Sequence, residues 1–195
     1  MAGMDRRIRV IGTLPYTFEP VDGDKAERER IPHGVAYCLV INPSGELLHI
    51  RRSKREQSYP EHHSVPAGHM DMRESLHEMP YETAKRELLE ETNLTARKIV
   101  SFMDDQHIYD KPSGHVAFAF LMPVEDCSDL KFNDEIDDAY SRFEQAAEIQ
   151  KLLTAFRWTP PSKIIVSELL RLHGNDLAGL YSSLLAGRPA LPSAP

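Results

Sequence analysis

Cysteine is scarce in this chain: Cys38 and Cys127 are the only two, and no Cys-x-x-Cys pair occurs. That pattern argues against a structural zinc site held by thiolates. Because Cys38 lies inside an apolar run, a buried free thiol is expected rather than a disulfide. No hydrophobic stretch reaches the length of a membrane span, and the basic N-terminus MAGMDRRIRVIGTLPYTF lacks the apolar segment of a signal peptide. A reduced, cytoplasmic setting without membrane contact is therefore expected. Positive charge is also short, with 23 Lys+Arg against 30 Asp+Glu and a net charge of −7. Such a balance disfavours general binding of nucleic-acid backbones. It stays compatible with a small phosphorylated ligand whose charge is neutralised locally by cations.

What is present is ordinary globular composition, 41% hydrophobic and 27% charged, enough for one domain with an elaborated edge. Residues 6–18 read as a strand or hairpin arm, and Asp22–Arg30 as a charged linker. The unbroken apolar run Val35–Ile41 (VAYCLVI) predicts a strand buried on both faces. Asn42-Pro43-Ser44-Gly45 predicts a turn into a second strand, Leu47–Ile50. A polar loop, Ser53–His63, leads to Ser64–Gly68. Pro80–Thr92 reads as a helix stopped by Asn93, a residue tolerant of the left-handed C-cap. Further strands are expected near Lys98–Met103 and Val116–Met122, and a helical stretch follows the acidic cluster Asp134–Asp138 to about Phe156. After Trp158, apolar stripes at Ile165, Leu169 and Leu172, then at Leu177, Leu180, Tyr181, Leu184 and Leu185, predict two more helices. The organisation expected is an arm and linker (1–32), a central domain (33–158), a helical extension (159–187) and a disordered tail (188–195).

The chemistry is concentrated in residues 65–94, VPAGHMDMRESLHEMPYETAKRELLEETNL. In a helix, Glu87, Glu90 and Glu91 sit at i, i+3 and i+4 and share one face. Like charges so placed repel, and divalent cations among them turn the repulsion into attraction. Magnesium, with manganese as a substitute, favours such hard oxygen ligands. Arg86 stands beside the ridge and is suited to hold a carboxylate by charge-assisted hydrogen bonds. A string such as RELLEE alone reads as exposed helix; the preceding Pro66-Ala67-Gly68 turn, whose carbonyls can join the same cation, points to a site instead.

This segment resembles the Nudix box, G-x5-E-x7-R-E-U-x-E-E-x-G-U with U apolar. Gly68, Arg86, Glu87, Leu88, Glu90, Glu91 and Leu94 match, and the likeness extends over about residues 33–145. Asn93 replaces the final glycine. The stretch from Gly68 to Arg86 is four residues longer than the pattern. Glu74 keeps the front spacing and Glu78 the back spacing. Pro80 suits a first helical turn, which places the extra residues before it and favours Glu78; a capping box at Ser75-x-x-Glu78 would instead start the helix earlier.

The resemblance implies an α/β/α sandwich around a mixed sheet with extra C-terminal helices. It further implies a pyrophosphohydrolase that cleaves a nucleoside diphosphate linked to another moiety, a metal-activated water attacking one phosphorus. Glu87, Glu90 and Glu91 would then be cation ligands, with Glu78 outside them and the Ala67 or Gly68 carbonyl completing the set. A further carboxylate from a later loop is expected as base; Glu135 is the candidate, with Asp134, Asp137 and Glu125 as competitors. Arg51, Arg52 and His69 are candidates for substrate phosphate, and Tyr109, in the Tyr109–Pro112 segment, for stacking on a base. His33, His69, His107 and His115 are kept out of the cation site because magnesium disfavours nitrogen ligands.

Two other readings belong to the same scaffold. A non-catalytic nucleotide-binding module would be expected to lose box glutamates, which are retained here. The RRS–YP–GH succession is also similar to isopentenyl diphosphate isomerases, but the cysteine expected before Gly-His is absent from His63–His69. The arm and the C-terminal stripes exceed what a minimal Nudix core needs in apolar surface, which predicts a homodimer.

Overall fold

The structure is a computed structural model that describes residues 8–11, 28–70, 72–73, 76–77, 79–103 and 107–187. Most of the arm and linker, the tail 188–195, and Glu74, Ser75 and Glu78 lie outside the described residues.

Eleven strands are described: β1 Ile8–Ile11, β2 His33–Ile41, β3 Leu47–Arg51, β4 His63–Ser64, β5 Ala67–His69, β6 Met72–Arg73, β7 Leu76–His77, β8 Val100–Phe102, β9 His107–Asp110, β10 His115–Pro123 and β11 Arg142–Glu144. The helices are α1 Pro80–Thr92, α2 Ala146–Ala155, α3 Pro160–His173 and α4 Leu177–Leu185. Nine of the strands form one mixed sheet with the main order β1-β9-β10-β2-β3-β11, while β6 and β7 pair separately in the segment before α1. The central pair, β10 with β2, is parallel; its neighbours are antiparallel.

Strand β2 shows why the fold has three layers. Side chains alternate between faces along a strand. Val35, Tyr37, Leu39 and Ile41 join a core with α2, α3 and α4 on one face, whereas Ala36, Cys38 and Val40 join Ala84 and Leu88 of α1 on the other. The α/β/α sandwich implied by the sequence is therefore present, and Cys38 is a buried free thiol. The C-terminal stripes that suggested a dimer are occupied within the chain: Ile165, Leu169, Leu177, Leu180 and Leu184 all pack into the same core as β2.

The helix α1 begins with Pro80 in its first turn, and the Glu82 carboxylate accepts the Met79 N–H at 3.1 Å. It ends on Asn93 at φ 58°, the left-handed cap expected of that residue. The segment between the acidic cluster and Phe156 departs from the helical expectation. Arg142–Glu144 pair antiparallel with β3, Asp138–Tyr140 form a single 3-10 turn, and only Ala146–Ala155 are α-helical. Strands β9 and β11 and the β6–β7 hairpin had no counterpart in the sequence patterns.

On the α2–α4 side, His49, His63 and Trp158 form a compact aromatic group, with ring centroids 5.4 to 6.4 Å apart. Burial, then the neighbouring His63, lowers the His49 pKa from 6.5 to about 4. Burial also lowers that of His63. Between about pH 6.5 and pH 4 the unfolded chain binds a proton at this position and the fold does not, so stability falls as pH drops through that window. The full loss from His49 is about 3 kcal/mol. Acid unfolding followed by the fluorescence of Trp158 should therefore show this pH dependence, and His49→Gln should flatten it.

Candidate functional site

Strand β2 changes partners along its length. It meets β3 only at Ile41–Leu47, and its earlier residues Val35–Tyr37 pair with β5. That divergence seats Ala67-Gly68-His69 beside α1. Alternation along β5 turns Ala67 and His69 toward the Val35 and Tyr37 face and leaves Gly68 facing α1.

Glycine is required there for space. A Cβ on Gly68 would lie 1.9 Å from the Glu87 Cδ, so the Glu87 carboxylate is packed directly against the strand backbone. The Ala67 N–H donates to the Glu91 Oε2 at 3.0 Å, which brings a second carboxylate of the helix to the same strand. Arg86 closes the group: Nη1 donates to Glu87 at 2.6 Å and to Glu90 at 2.8 Å, while Nη2 donates to the His69 carbonyl at 2.8 Å.

Depth distinguishes the three glutamates. Glu91 is 3% exposed and Glu87 9%, whereas the Glu90 side chain is 53% exposed. Burial pushes the Glu91 carboxyl well above the usual carboxylate range, reinforced by the Glu87 charge and opposed by Arg52 and the Ala67 N–H. Burial raises Glu87 as well, against the pull of Arg86. Removing carboxylates from water is strongly unfavourable unless charges or hydrogen bonds compensate. Oxygen donors crowded in this way fit a divalent cation of the magnesium class.

Above the group opens a cavity of about 450 Å³ whose walls include Arg52, Tyr59, Gly68, His69, Glu87 and Glu90. Glu135 and Asn133 also line it, and the Asn133 N–H donates to the Glu91 carbonyl at 3.3 Å. Among the sequence candidates, Arg86, Glu87, Glu90, Ala67, Gly68, His69, Arg52 and Glu135 all reach this cavity, and Glu91 lies just beneath it. Glu78 falls outside the described residues.

Arg51 and Tyr109 are placed elsewhere. Arg51 bonds to Glu61 at 2.9 Å and Asp137 at 3.2 Å and covers the Tyr140 ring at 4.4 Å, a surface network rather than a cavity wall. Adjacent residues of an extended strand point to opposite sides, so only one arginine of the pair turns inward. Arg52 does, and it is held by Glu56 at 2.6 Å and by the Ser58 carbonyl at 2.9 Å. Tyr109 pairs with Val116 whereas Asp110 pairs with the cavity residue His115, so Tyr109 faces away. Tyr59 brings an aromatic ring to the cavity, which Tyr37 also lines, and the Tyr59 hydroxyl donates to the buried Asp110 at 2.5 Å. Of the competing acids, Asp137 is paired with Arg51 and Glu125 with Arg97, and neither lines the cavity. Asn133 and Arg55 line it without having been singled out by the sequence, whereas Tyr59 entered only through the RRS–YP–GH succession and His115 only as a histidine kept out of the cation site. Only the polar composition of the 53–63 loop hinted at its role.

Among curated protein sequences, none matches this chain significantly. Solved structures do match it. A MutT protein from Methanosarcina mazei Go1 is 20% identical with a TM-score of 0.53, over 72% of this chain and 95% of that one. The Nudix domain of Shewanella oneidensis NrtR, crystallised with ADP ribose, is 12% identical with a TM-score of 0.53, over 72% and 87%. A bifunctional NMN adenylyltransferase/ADP ribose pyrophosphatase from Francisella tularensis is 15% identical with a TM-score of 0.53, over 76% of this chain and 46% of that one. At these identities the likeness establishes the fold. The family model for the Nudix domain matches residues 31–169, most of the sequence and the whole of the site just described, and on that match the chain belongs to the Nudix family of hydrolases.

Proposed function

We propose that this chain is a divalent-cation-dependent pyrophosphohydrolase that cleaves a nucleoside diphosphate joined to a second group. The observation that carries the reading is the pair of buried carboxylates, Glu87 and Glu91, pressed against the β5 backbone at the floor of an open polar cavity. Glu87, Glu90 and Glu91 would hold the cation, joined by the carbonyl of Ala67 or Gly68. Glu78 is proposed just outside this set, from its spacing to Arg86. The chemistry supplied by magnesium or manganese at such a site is Lewis acidity toward phosphoryl oxygens and water.

The chain's own groups carry the rest. Arg86 fixes the rotamers of Glu87 and Glu90 while gripping the His69 carbonyl, which sets the carboxylates before substrate arrives. Arg52 and His69 face the cavity and are suited to the non-bridging oxygens of a diphosphate. Tyr59, anchored through its hydroxyl to Asp110, offers a fixed ring for a base or ribose. Glu135 is an exposed carboxylate lining the same cavity and is suited to take the proton of the attacking water. Attack at one phosphorus breaks a P–O–P bridge and yields two phosphate monoesters, one of them the nucleotide. The neighbours associated with ADP ribose make that compound the leading substrate to assay, followed by dinucleoside polyphosphates, nucleotide sugars and nucleoside triphosphates.

Hydrolysis of that panel with and without magnesium tests the reading. Cation-dependent turnover is expected; tight binding without turnover would mark a non-catalytic module instead. Glu87→Gln and Glu90→Gln keep the side-chain shape and should lower turnover by about 100-fold or more, because a displaced ligand misaligns the reacting water. Glu78→Gln should be intermediate and Glu74→Gln mild; the reverse order would move the four extra residues to the other side of the first glutamate. Gly68→Ala should destabilise the fold by about 1–3 kcal/mol through overpacking against Glu87. Glu87→Ala makes room for that methyl, so the double variant should lose less stability than the sum of the two single changes. Additive losses in thermal unfolding would show that the contact between Gly68 and Glu87 is not the constraint.

A further inference from the structure

Three histidines converge next to the carboxylates without belonging to them. His33 opens β2, His69 closes β5 and His115 opens β10. The register puts them on one face: His115 is opposite His33, and His69 is opposite Val35, two residues along the same face of β2. One ring nitrogen from each lies within 4.8 Å of the other two. The ring centroids are 4.9, 5.0 and 5.5 Å apart. Among the described residues this is the one group of three or more histidine, cysteine or acidic side chains with such spacing.

We propose that His33, His69 and His115 form a transition-metal site of the zinc class, distinct from the carboxylate site and opening into the same cavity. The His33 Nδ1 lies 2.7 Å from the Ile31 carbonyl, an acceptor only, so Nδ1 carries the proton and Nε2 the lone pair. The His115 Nδ1 lies 3.1 Å from the Tyr37 hydroxyl. Outer hydrogen bonds of this kind fix the tautomer and orientation of metal-ligating imidazoles. The donor set also selects the ion. Magnesium favours oxygen and keeps its water, whereas zinc, cobalt and nickel accept imidazole readily.

Tetrahedral coordination at a metal–nitrogen distance of about 2.0–2.1 Å needs nitrogens about 3.3 Å apart. The rings need to close by about 1.5 Å from their present spacing, a movement within reach of small side-chain rotations. Three protein ligands leave one position open. His69 and His115 line the cavity, so that position faces it, and a phosphate oxygen or water would occupy it. The two sites share β5: the Ala67 N–H and the His69 carbonyl serve the glutamates and Arg86, while the His69 ring serves the triad. A diphosphate lying along β5 would meet hard-oxygen cation chemistry at one end and an imidazole-held metal at the other.

The test uses the full-length, tag-free chain, stripped with a chelator and titrated with Co²⁺ in excess Mg²⁺, which keeps the carboxylates filled. One Co²⁺ per chain should bind with the intense visible absorption of a low-coordinate, imidazole-ligated ion, and one equivalent of Zn²⁺ should displace it. His115→Gln and His33→Gln should abolish that band, whereas Glu90→Gln should keep it. A weak octahedral spectrum in the wild type overturns the proposal, as does a band that survives both histidine changes or disappears with Glu90→Gln. If the histidine variants fail to fold, the wild-type spectrum and zinc displacement decide alone. None of these readouts depends on hydrolysis, so failure of the pyrophosphohydrolase reading would be recognised separately.

Discussion

Two carboxylates kept out of water on one face of a helix impose most of the local architecture. Glu87 and Glu91 are both buried; burial raises the pKa of each carboxyl, and the Glu87 charge raises that of Glu91 further. Holding such groups is worth several kcal/mol of penalty per ion unless partners intervene. The partners are a guanidinium, Arg86, and a strand N–H, that of Ala67. Apolar anchoring by Ala84 and Leu88 on the same helix keeps the ridge in place despite its charge. Removing the partner of a buried pair typically costs about 3–5 kcal/mol, which identifies Arg86 as a structural requirement as well as an organiser of the site.

The sheet supplies the geometry that this ridge needs. Because β2 leaves β3 after one paired position and takes β5 as its partner, a short strand is set beside the helix, and the two line the cavity together. Gly68 then acts as an opening in that strand: with no side chain, it lets Glu87 reach the backbone. Loop 53–63 completes the enclosure, held by the Tyr59–Asp110 bond and by the Arg52 contacts to Glu56 and Ser58. Loops carried on a rigid scaffold are the usual place for groups that choose a ligand, and this loop provides Arg52's setting and Tyr59.

Features governed by neighbours along the chain were legible in the sequence. The i, i+3, i+4 glutamates, the first-turn Pro80, the left-handed Asn93 and the continuous β2 run all follow from local periodicity and residue preference. Strands of two to four residues, such as β9 and β11, carry too few alternations to be read and exist because β10 and β3 pair with them. That Arg52 rather than Arg51 lines the cavity depends on strand alternation, as does the turning of Tyr109 away from it, while Tyr59 reaches it from a loop. The histidine triad comes from three strands distant in sequence, so spacing carries no sign of it. The apolar C-terminal stripes were legible as the buried faces of helices, and the structure packs them against the sheet; periodicity shows that a face is buried and not what covers it.

The central claim is that the buried glutamates are held for a cation, and cation-linked stability tests it without any substrate. Thermal unfolding should be compared with and without magnesium, an ion that does not favour imidazole ligands. At a concentration about 100-fold above its dissociation constant, magnesium should raise the midpoint by about 5 °C or more, since binding to the folded chain alone adds about 2.7 kcal/mol. Glu91→Gln should remove most of that rise. A midpoint indifferent to magnesium, or an equal rise in wild type and Glu91→Gln, would contradict the claim.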